Sequence, residues 1–352
     1  MDPAGLIPTP DSIPVPWGWF RALLLLTFVL HLILMNLMLG GGLVGLWRRW
    51  RGGASAVEGR SLPTLIALTV NLGVPPLLFV QVLFGQFLYS SSILMAAWWI
   101  SVIPLLILAY YAAYGSAGAV KRSGRASTVW LGISTFLLLV VGFLYTNNMT
   151  LMVRPERWTA YFQGGGGGFL NLSEPTLFPR FLHFVVAAVA IFGLGSALYH
   201  QIAGRRAGSA RPEEIRDGLR LFAFASMAQV VVGVLFWLTL PAPIRNLFAG
   251  GSGVHTGHLW GGALLGLAAI GTALRRQLGL TVALALVTVV TMVLVRDLVR
   301  DAYLAPHFRP ADLPVATQWS PFVAFVGSLL VVVAILVWMA RSAWAVGREV
   351  KP

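Results

Sequence analysis

Residues 18–47 read GWFRALLLLTFVLHLILMNLMLGGGLVGLW. Arg21 is the only charged residue in this stretch. About 20 apolar residues in an α-helix cross the hydrocarbon core of a bilayer. A signal peptide has a shorter apolar run followed by a small-residue cleavage site, which is not recognisable here. The stretch therefore predicts a first transmembrane helix that is retained in the protein.

Eight further apolar stretches of similar length follow. Together with the first, they cover about 18–47, 63–88, 92–118, 127–147, 180–203, 218–240, 256–274, 279–297 and 320–343. The link between the second and third stretches, from Gln86 to Ser92, carries no charge, and Pro75-Pro76 predicts a kink in the second.

The composition agrees with a membrane protein. Of the 352 residues, 57% are hydrophobic and 11% are charged, which leaves too little polar surface for a soluble globule. The sequence predicts an all-α, polytopic bundle of about nine transmembrane helices that forms one domain over residues 1–352.

The basic residues indicate the orientation of the bundle. Of 25 Lys and Arg residues, 17 lie beside the ends where the first, third, fifth, seventh and ninth stretches finish. The positive-inside rule therefore predicts an N-terminus outside and a C-terminus in the cytoplasm, in a bacterial-type inner membrane. Since topology accounts for the net charge of +13, we expect membrane lipid and no nucleic acid as a partner.

The longest outer loop is predicted at 148–179. It contains Arg154, Glu156 and five consecutive glycines from Gly164 to Gly168. The run cannot be a phosphate-binding loop, because no strand precedes it and no Lys-Ser/Thr pair follows it. It is interpreted as a flexible linker.

The absence of cysteine restricts the chemistry of the chain. It excludes disulfides, thiolate metal sites, iron–sulfur clusters and covalently attached c-type haem in this chain. Any redox centre must be held by His or Met. Zinc is disfavoured because no acidic residue lies between Glu58 and Glu156. Neutral imidazole or thioether ligands on facing helices are the usual way in which a membrane bundle holds haem b.

Two histidines lie within apolar stretches. His31 is near the middle of the first and His183 is at the outer start of the fifth. A histidine in the membrane is costly unless it is paired or ligated, so both are candidate ligands of haem iron. The alternative for each is a neutral imidazole hydrogen-bonded between helices.

Further candidate ligands lie at the outer ends of other stretches. His255 and His258 are three residues apart at the start of the seventh and share a helix face, although a solvated position is equally consistent with the glycines beside them. Met149 and Met152 end the fourth stretch, where they can ligate haem or simply pack. We expect His183 to pair with His258 or His255.

A resemblance rests on two segments. Asn147-Asn148-Met149, followed by Trp158 and then by EPTLFPRFLH at 174–183, resembles subunit I of the cytochrome bd quinol oxidases. The position of His31 in the first helix and the Phe-Gly-Gln before Phe87 are similar to that family as well. The resemblance covers roughly residues 17–240.

This resemblance implies nine helices with a periplasmic N-terminus. It further implies that His183 is the axial ligand of a low-spin haem b and that His31 is a ligand in the haem pair where oxygen is reduced. The chain also departs from the family. No acidic residue occurs in Ile93 to Tyr114, and only Pro241 to Val254 connects the sixth and seventh helices, so the long quinol-binding loop is missing.

These departures favour a quinol dehydrogenase module over an oxidase. The expected function is that of a b-type cytochrome subunit in a hetero-oligomeric respiratory complex, which transfers electrons between the quinone pool and a cytochrome c or iron–sulfur subunit on the outer face. The candidate quinol-binding residues are Gln81, Gln86, Tyr89, Arg154 and Glu156. The alternatives are a bd-like quinol:oxygen oxidase and a haem-free membrane anchor or transporter.

The acidic residues of the eighth stretch are assigned a structural role. Asp297 and Asp301 are interpreted as helix-end residues that form ion pairs beside Arg296 and Arg300, with proton acceptance from quinol as the alternative. The bundle then contains no evident relay of titratable groups, and quinol oxidation is expected to release protons outside without pumping.

Overall fold

The computed structural model describes residues 3–52, 61–119, 124–164 and 168–349. These residues form helices and loops without a β-strand, and nine of the helices are long and apolar enough to cross a membrane. The predicted all-α polytopic bundle is confirmed.

The helices are labelled in chain order. They are α1 (Trp17–Trp50), α2 (Ser61–Met95), α3 (Ala97–Ala119), α4 (Gly124–Met152), α5 (Leu177–Ala207), α6 (Pro212–Thr239), α7 (Ala242–Asn246), α8 (Gly253–Leu274), α9 (Leu278–Leu304) and α10 (Trp319–Glu349). Short 3₁₀ helices cover Pro3–Leu6, Pro155–Gln163 and Pro310–Asp312, and a π-helical turn covers Leu247–Gly251. The short helix α7 and the π turn were not predicted.

The junction between α2 and α3 differs from the prediction. The uncharged link from Gln86 to Ser92 is helical, and the break falls at Ala96, whose φ of 43° lies in the left-handed region. Within α2, the non-helical backbone angles are at Phe84 (φ −138°, ψ 30°) rather than at Pro75-Pro76.

The predicted loop at 148–179 is shorter than expected. Helix α4 continues to Met152 and α5 begins at Leu177. The loop is anchored by Trp158, which is 1% exposed and whose indole N–H donates to the Leu151 carbonyl oxygen at 2.9 Å. Residues 165–167 of the predicted glycine linker lie outside the described residues.

The two ends of the bundle have different characters. At one end, the described residues of 3–16, 153–164, 168–176 and 305–318 lie together. The Ile13 N–H donates to the Pro314 carbonyl at 2.8 Å, and the Phe169 N–H donates to the Leu94 carbonyl at 2.9 Å. We call this the loop-rich end. The opposite end carries the arginines in the last turns of α1 and α5, those in the first turns of α6 and those of the α8–α9 turn, and we call it the basic end.

Small residues bring the central helices together. A Cβ added to Gly40 of α1 would lie 2.0 Å from the Ala188 carbonyl oxygen of α5. A Cβ added to Gly193 of α5 would lie 2.8 Å from the Phe222 nitrogen of α6. Backbones approach this closely in membrane bundles when glycine occupies the contact. Helices α1, α5 and α6 therefore form a tight group, which positions His31 and His183 on neighbouring helices.

Large apolar side chains cover the outside of the bundle. Ile103, Leu264 and Val323 are each more than 60% exposed. In a membrane these surfaces contact lipid, so exposure does not carry the cost that it has in water.

Candidate functional site

A cluster of buried ion pairs connects helices α1 and α9 near the loop-rich end. Asp297 is 3% exposed and accepts a hydrogen bond from the Arg21 Nε at 2.7 Å. Arg21 also binds Asp301, with 2.5 Å between Nη2 and Oδ2, and Arg300 forms an ion pair with Asp297. The predicted ion pairing of both aspartates is confirmed.

The predicted helix-end position of Asp297 is wrong. Helix α9 continues to Leu304, so Asp297 lies two turns inside it. The apolar stretch appeared to end at Asp297 because a hydropathy scale scores each charged residue by itself, without its ion-pair partners. The two arginine partners neutralise the carboxylate and allow the helix to continue.

A second ionic group is centred on Glu174 in the loop before α5. Glu174 is 1% exposed, and its Oε2 lies 3.3 Å from the Arg154 Nη1. The Thr176 hydroxyl donates to the other carboxylate oxygen at 3.0 Å. Arg154 also binds Glu156. Burial by itself lowers the pKa of Arg154, but the negative charges of Glu174 and Glu156 outweigh this and raise the pKa above its usual value.

Arg154 joins two carboxylates of different burial. The Arg154 side chain is 18% exposed and the Glu156 side chain is 46% exposed. Arg154 therefore connects the half-exposed Glu156 to the buried Glu174.

Two further arginines lie against aromatic rings. The Arg296 guanidinium carbon is 4.4 Å from the ring centre of Phe28, and that of Arg180 is 5.2 Å from the ring centre of Phe236. Arg296 and Arg300 are four residues apart on one face of α9, and α5, which carries Arg180, contacts α9. Three arginines from α5 and α9 therefore share one region.

His31 is bound on one side of its ring. Its Nδ1 lies 3.0 Å from the Thr69 carbonyl oxygen of α2. A carbonyl only accepts, so Nδ1 carries the proton and Nε2 keeps its lone pair. Gly73 of α2 faces the same ring, and a Cβ there would lie 2.9 Å from the imidazole Cε1. This tautomer is the one that a metal-ligating histidine adopts.

His183 is packed against α6. A Cβ added to Gly233 would lie 3.3 Å from its Cε1, and the ring centre of Phe236 is 6.4 Å away. Its Nδ1 is buried and has no hydrogen-bond partner within the described part of the chain. An unsatisfied polar atom of this kind is costly in a protein interior.

Two phenylalanines connect the histidines with the arginines. The Phe28 ring is 6.5 Å from the His31 ring and also carries Arg296. The Phe236 ring is 6.4 Å from the His183 ring and 5.2 Å from the Arg180 guanidinium carbon. Each histidine thus lies one aromatic ring away from a partly buried arginine.

The other candidate ligands are in the predicted segments. His255 and His258 lie in the first two turns of α8, where the His255 Nδ1 is 2.8 Å from the Ser252 hydroxyl and the His258 Nδ1 is 2.8 Å from the Val254 carbonyl. The structure does not bring either ring into contact with that of His183 among the described residues. The pairing of His183 with one of them stays a prediction.

The two methionines end α4 as expected. Met152 is 1% exposed in the main apolar core, and Met149 packs against the same core.

The candidate quinol residues of α2 differ in burial. Gln86 is 7% exposed and its Nε2 has no hydrogen-bond partner in the described part of the chain. Tyr89 is 53% exposed. Gln81 is partly buried and lies 14 residues before the end of α2, about 21 Å along the helix. The three candidate residues of α2 therefore differ in burial and in their distance from the end of the helix.

Sequence reasoning missed the importance of Glu174 and Arg180 as charged groups. Both occur in the segment that carries the family resemblance. The sequence pattern that could have revealed them is a pair of ionisable residues three or four positions apart inside an apolar helix. Arg296 with Arg300 and Arg180 with His183 are such pairs. The long-range partner Arg21 has no signal in the local sequence.

The fold defines a multi-pass integral membrane protein. In comparisons with known proteins, the chain matches no family model, no curated protein and no solved structure. Across the described ranges, no group of three or more His, Asp or Glu side chains is placed to hold a metal ion.

Proposed function

We propose that the chain is a b-type cytochrome subunit that transfers electrons between the quinone pool and a cytochrome c or iron–sulfur partner at the loop-rich end. The observation that carries this proposal is the pair of membrane-embedded imidazoles on the packed helices α1 and α5. His31 keeps an Nε2 lone pair, and His183 has an unpartnered nitrogen. The fit to haem b rests on these residues.

The donor chemistry supports haem rather than a hard metal ion. Neutral imidazoles are suitable axial ligands for haem iron, whereas hard cations prefer carboxylate oxygens. His183 would hold one haem iron, with His255 or His258 as its candidate partner, and His31 would hold the iron of a second haem; Met149 is a further candidate ligand. When bound, haem b supplies a centre that gains and loses one electron at a time.

Glycines beside both rings support the same interpretation. A Cβ at Gly73 or Gly233 would press on the imidazole beside it, so these glycines let His31 and His183 pack directly against α2 and α6. A phenylalanine ring lies beside each imidazole, Phe28 beside His31 and Phe236 beside His183.

The loop-rich end provides groups for a quinol head and its protons. The Gln86 Nε2, which has no hydrogen-bond partner in the described residues, can donate to a quinone oxygen. Arg154 binds both the half-exposed Glu156 and the buried Glu174. Asp301 has an Oδ1 without a hydrogen-bond partner in the described residues, and its side chain is 27% exposed. This oxygen can accept a proton there.

We further propose that the loop-rich end faces the outside of a bacterial-type cytoplasmic membrane, because most basic residues occupy the other end. Protons released by quinol then leave on the outer side. An electron carrier is needed there, and this cysteine-free chain cannot hold a c-type haem or an iron–sulfur cluster. This supports a hetero-oligomeric complex.

The experiment is anaerobic reduction of the purified full chain by a short-chain quinol. The expected result is a reduced b-type absorption spectrum, followed by reoxidation with a soluble cytochrome c; in a separate aerobic assay with the same quinol, oxygen uptake should be slow. Rapid oxygen uptake would support the bd-like oxidase instead. A preparation without any haem spectrum would support the haem-free anchor or transporter and contradict the proposal.

A further inference from the structure

We infer that Arg180, Arg296 and Arg300 form a binding site for an oxyanion ligand that carries about two negative charges, as two carboxylates or a phosphate. Arg180 comes from α5, and the other two come from α9. Arg296 and Arg300 are four residues apart on one face of α9, and α5, which carries Arg180, contacts α9, so the three side chains occupy one region of the protein. We call these residues the arginine triad.

The charges around the triad do not balance. Asp297 and Asp301 are the neighbouring carboxylates of α9, and Arg21 binds both of them. Arg300 takes the second oxygen of Asp297. Four arginines, counting Arg21 with the triad, therefore face two aspartates. The group as described keeps an excess of two positive charges.

The loop does not supply the missing negative charge. Glu174 reaches Arg180 electrostatically, but its carboxylate lies 3.3 Å from Arg154 and 4.0 Å from Arg157. Glu156 is bound to Arg154 as well. These two acids are matched by these two arginines, so the excess of two remains when the wider group is counted.

Unused donors accompany the unbalanced charge. The Nε atoms of Arg180 and Arg300 are buried and have no hydrogen-bond partner in the described residues, and Arg300 is 6% exposed as a whole. Each triad guanidinium lies on a ring, at 5.2 Å for Arg180, 4.4 Å for Arg296 and 4.2 Å for Arg300. The face of an aromatic ring attracts a cation but carries no net negative charge. It therefore neither neutralises the guanidinium groups nor replaces an anion as the acceptor of their N–H groups.

The chemistry of the donors defines the ligand class. Guanidinium groups bind carboxylate and phosphate through parallel N–H···O bonds, and such charge-assisted bonds are strong away from water. An oxyanion with two charges would satisfy the donors and cancel the excess charge. Uncompensated charge in a membrane-spanning segment is strongly unfavourable.

The depth of the triad allows two sources of this oxyanion. Arg180 lies in the first turn of α5, whereas Arg296 lies eight residues before the end of α9, about 12 Å along the helix. A lipid headgroup phosphate can reach this level. So can the carboxylates of a haem held by His31 or of one held by His183, because each histidine lies one phenylalanine away from Arg296 or Arg180 respectively. The haem source rests on the proposed function.

The test uses purified full-length protein in neutral detergent. Thermal unfolding is measured with metal-free protoporphyrin IX and with its dimethyl ester, which has the same ring without carboxylates. A second pair of probes is short-chain phosphatidic acid, whose phosphate monoester can carry two negative charges, and the diacylglycerol that lacks this phosphate. Because none of the probes contains iron, binding does not depend on histidine ligation.

The expected result is that at least one charged probe raises Tm and its uncharged counterpart does not. Arg296→Gln is expected to weaken binding of that probe by about tenfold or more, which corresponds to about 1.4 kcal/mol. The control Arg309→Gln removes an exposed arginine at the same end and should bind like the parent. Arg180→Gln, on another helix, provides the same test where Arg296→Gln does not fold.

The outcomes separate this inference from the proposed function. Binding of phosphatidic acid by a chain that contains no haem would support the triad site and contradict the cytochrome. In a preparation without haem, equal responses to charged and uncharged probes, or unchanged binding in both triad variants, would overturn the site. In a preparation whose haem already occupies the site, both triad variants having the haem content and spectrum of the parent would overturn it.

Discussion

The arginines at the basic end and those at the loop-rich end of the bundle differ in their burial and in their contacts. At the basic end, Arg205, Arg206, Arg275 and Arg276 are exposed. At the loop-rich end, Arg21, Arg180, Arg296 and Arg300 are buried or partly buried and contact carboxylates or aromatic rings. The first group fits a topological signal, and the second fits a binding site.

This difference shows why a net charge is a poor guide to function in a membrane protein. The loop-rich end is nearly neutral by residue count, yet it contains the charges that cost the most to bury. Burial and partners distinguish the two ends. Arg60, Lys121, Arg122 and Lys351, which contribute to the count at the basic end, lie outside the described residues.

The largest effect is expected from labelling the two ends. The chain has no cysteine, so Ser209→Cys and Thr317→Cys each create a single exposed thiol, at the basic end and the loop-rich end respectively. In intact cells, a membrane-impermeant maleimide should label Thr317→Cys and leave Ser209→Cys unlabelled until the membrane is opened. The reverse pattern would invert the proposed orientation.

The next largest effect is expected from breaking one carboxylate of the buried group. Asp297→Asn leaves Arg21 and Arg300 without their shared partner and should lower the free energy of unfolding by about 3–5 kcal/mol. The measurement is thermal or denaturant unfolding of the full chain in detergent.

The matched control for Asp297→Asn is at the basic end. Glu213 forms an ion pair with Arg216, and its side chain is 66% exposed. Glu213→Gln should cost less than about 1 kcal/mol, as is usual for solvent-exposed pairs. Equal losses in the two variants would remove the distinction between the ends.

A smaller effect is expected where α1 and α5 touch. Gly40→Ala places a Cβ against the Ala188 carbonyl and should destabilise the bundle by about 1–3 kcal/mol through overpacking. Gly18→Ala adds the same atom where nothing lies within 4 Å. Melting temperatures that fall by the same amount in both variants would contradict the close approach of these helices.

The sequence was sufficient to predict the nine long helices, because each requires a long apolar run that can be recognised locally. The end of α9 was missed since Asp297 is neutralised by Arg21, which is 276 residues away along the chain. No local pattern contains that partner. The break at Phe84 and the left-handed Ala96 were missed for a similar reason, because prolines and polar residues nearby gave stronger local signals.

The candidate site was predicted in part. The positions of His31 and His183 follow from the sequence, but the hydrogen bond to Thr69 and the facing glycines Gly73 and Gly233 arise only when α1 packs on α2 and α5 packs on α6. The arginine triad is formed in the same way by two helices that are distant in sequence.

The most direct test of the central claim is the haem content of three histidine variants beside the parent. Pyridine-haemochrome and reduced-minus-oxidised spectra of the full chain should show haem b, with the low-spin signal lost in His183→Ala and the spectrum altered in His31→Ala. His307→Ala, which changes an exposed loop residue, should match the parent. A parent without haem, or His31 and His183 variants with the haem content and spectrum of the parent, would contradict the account.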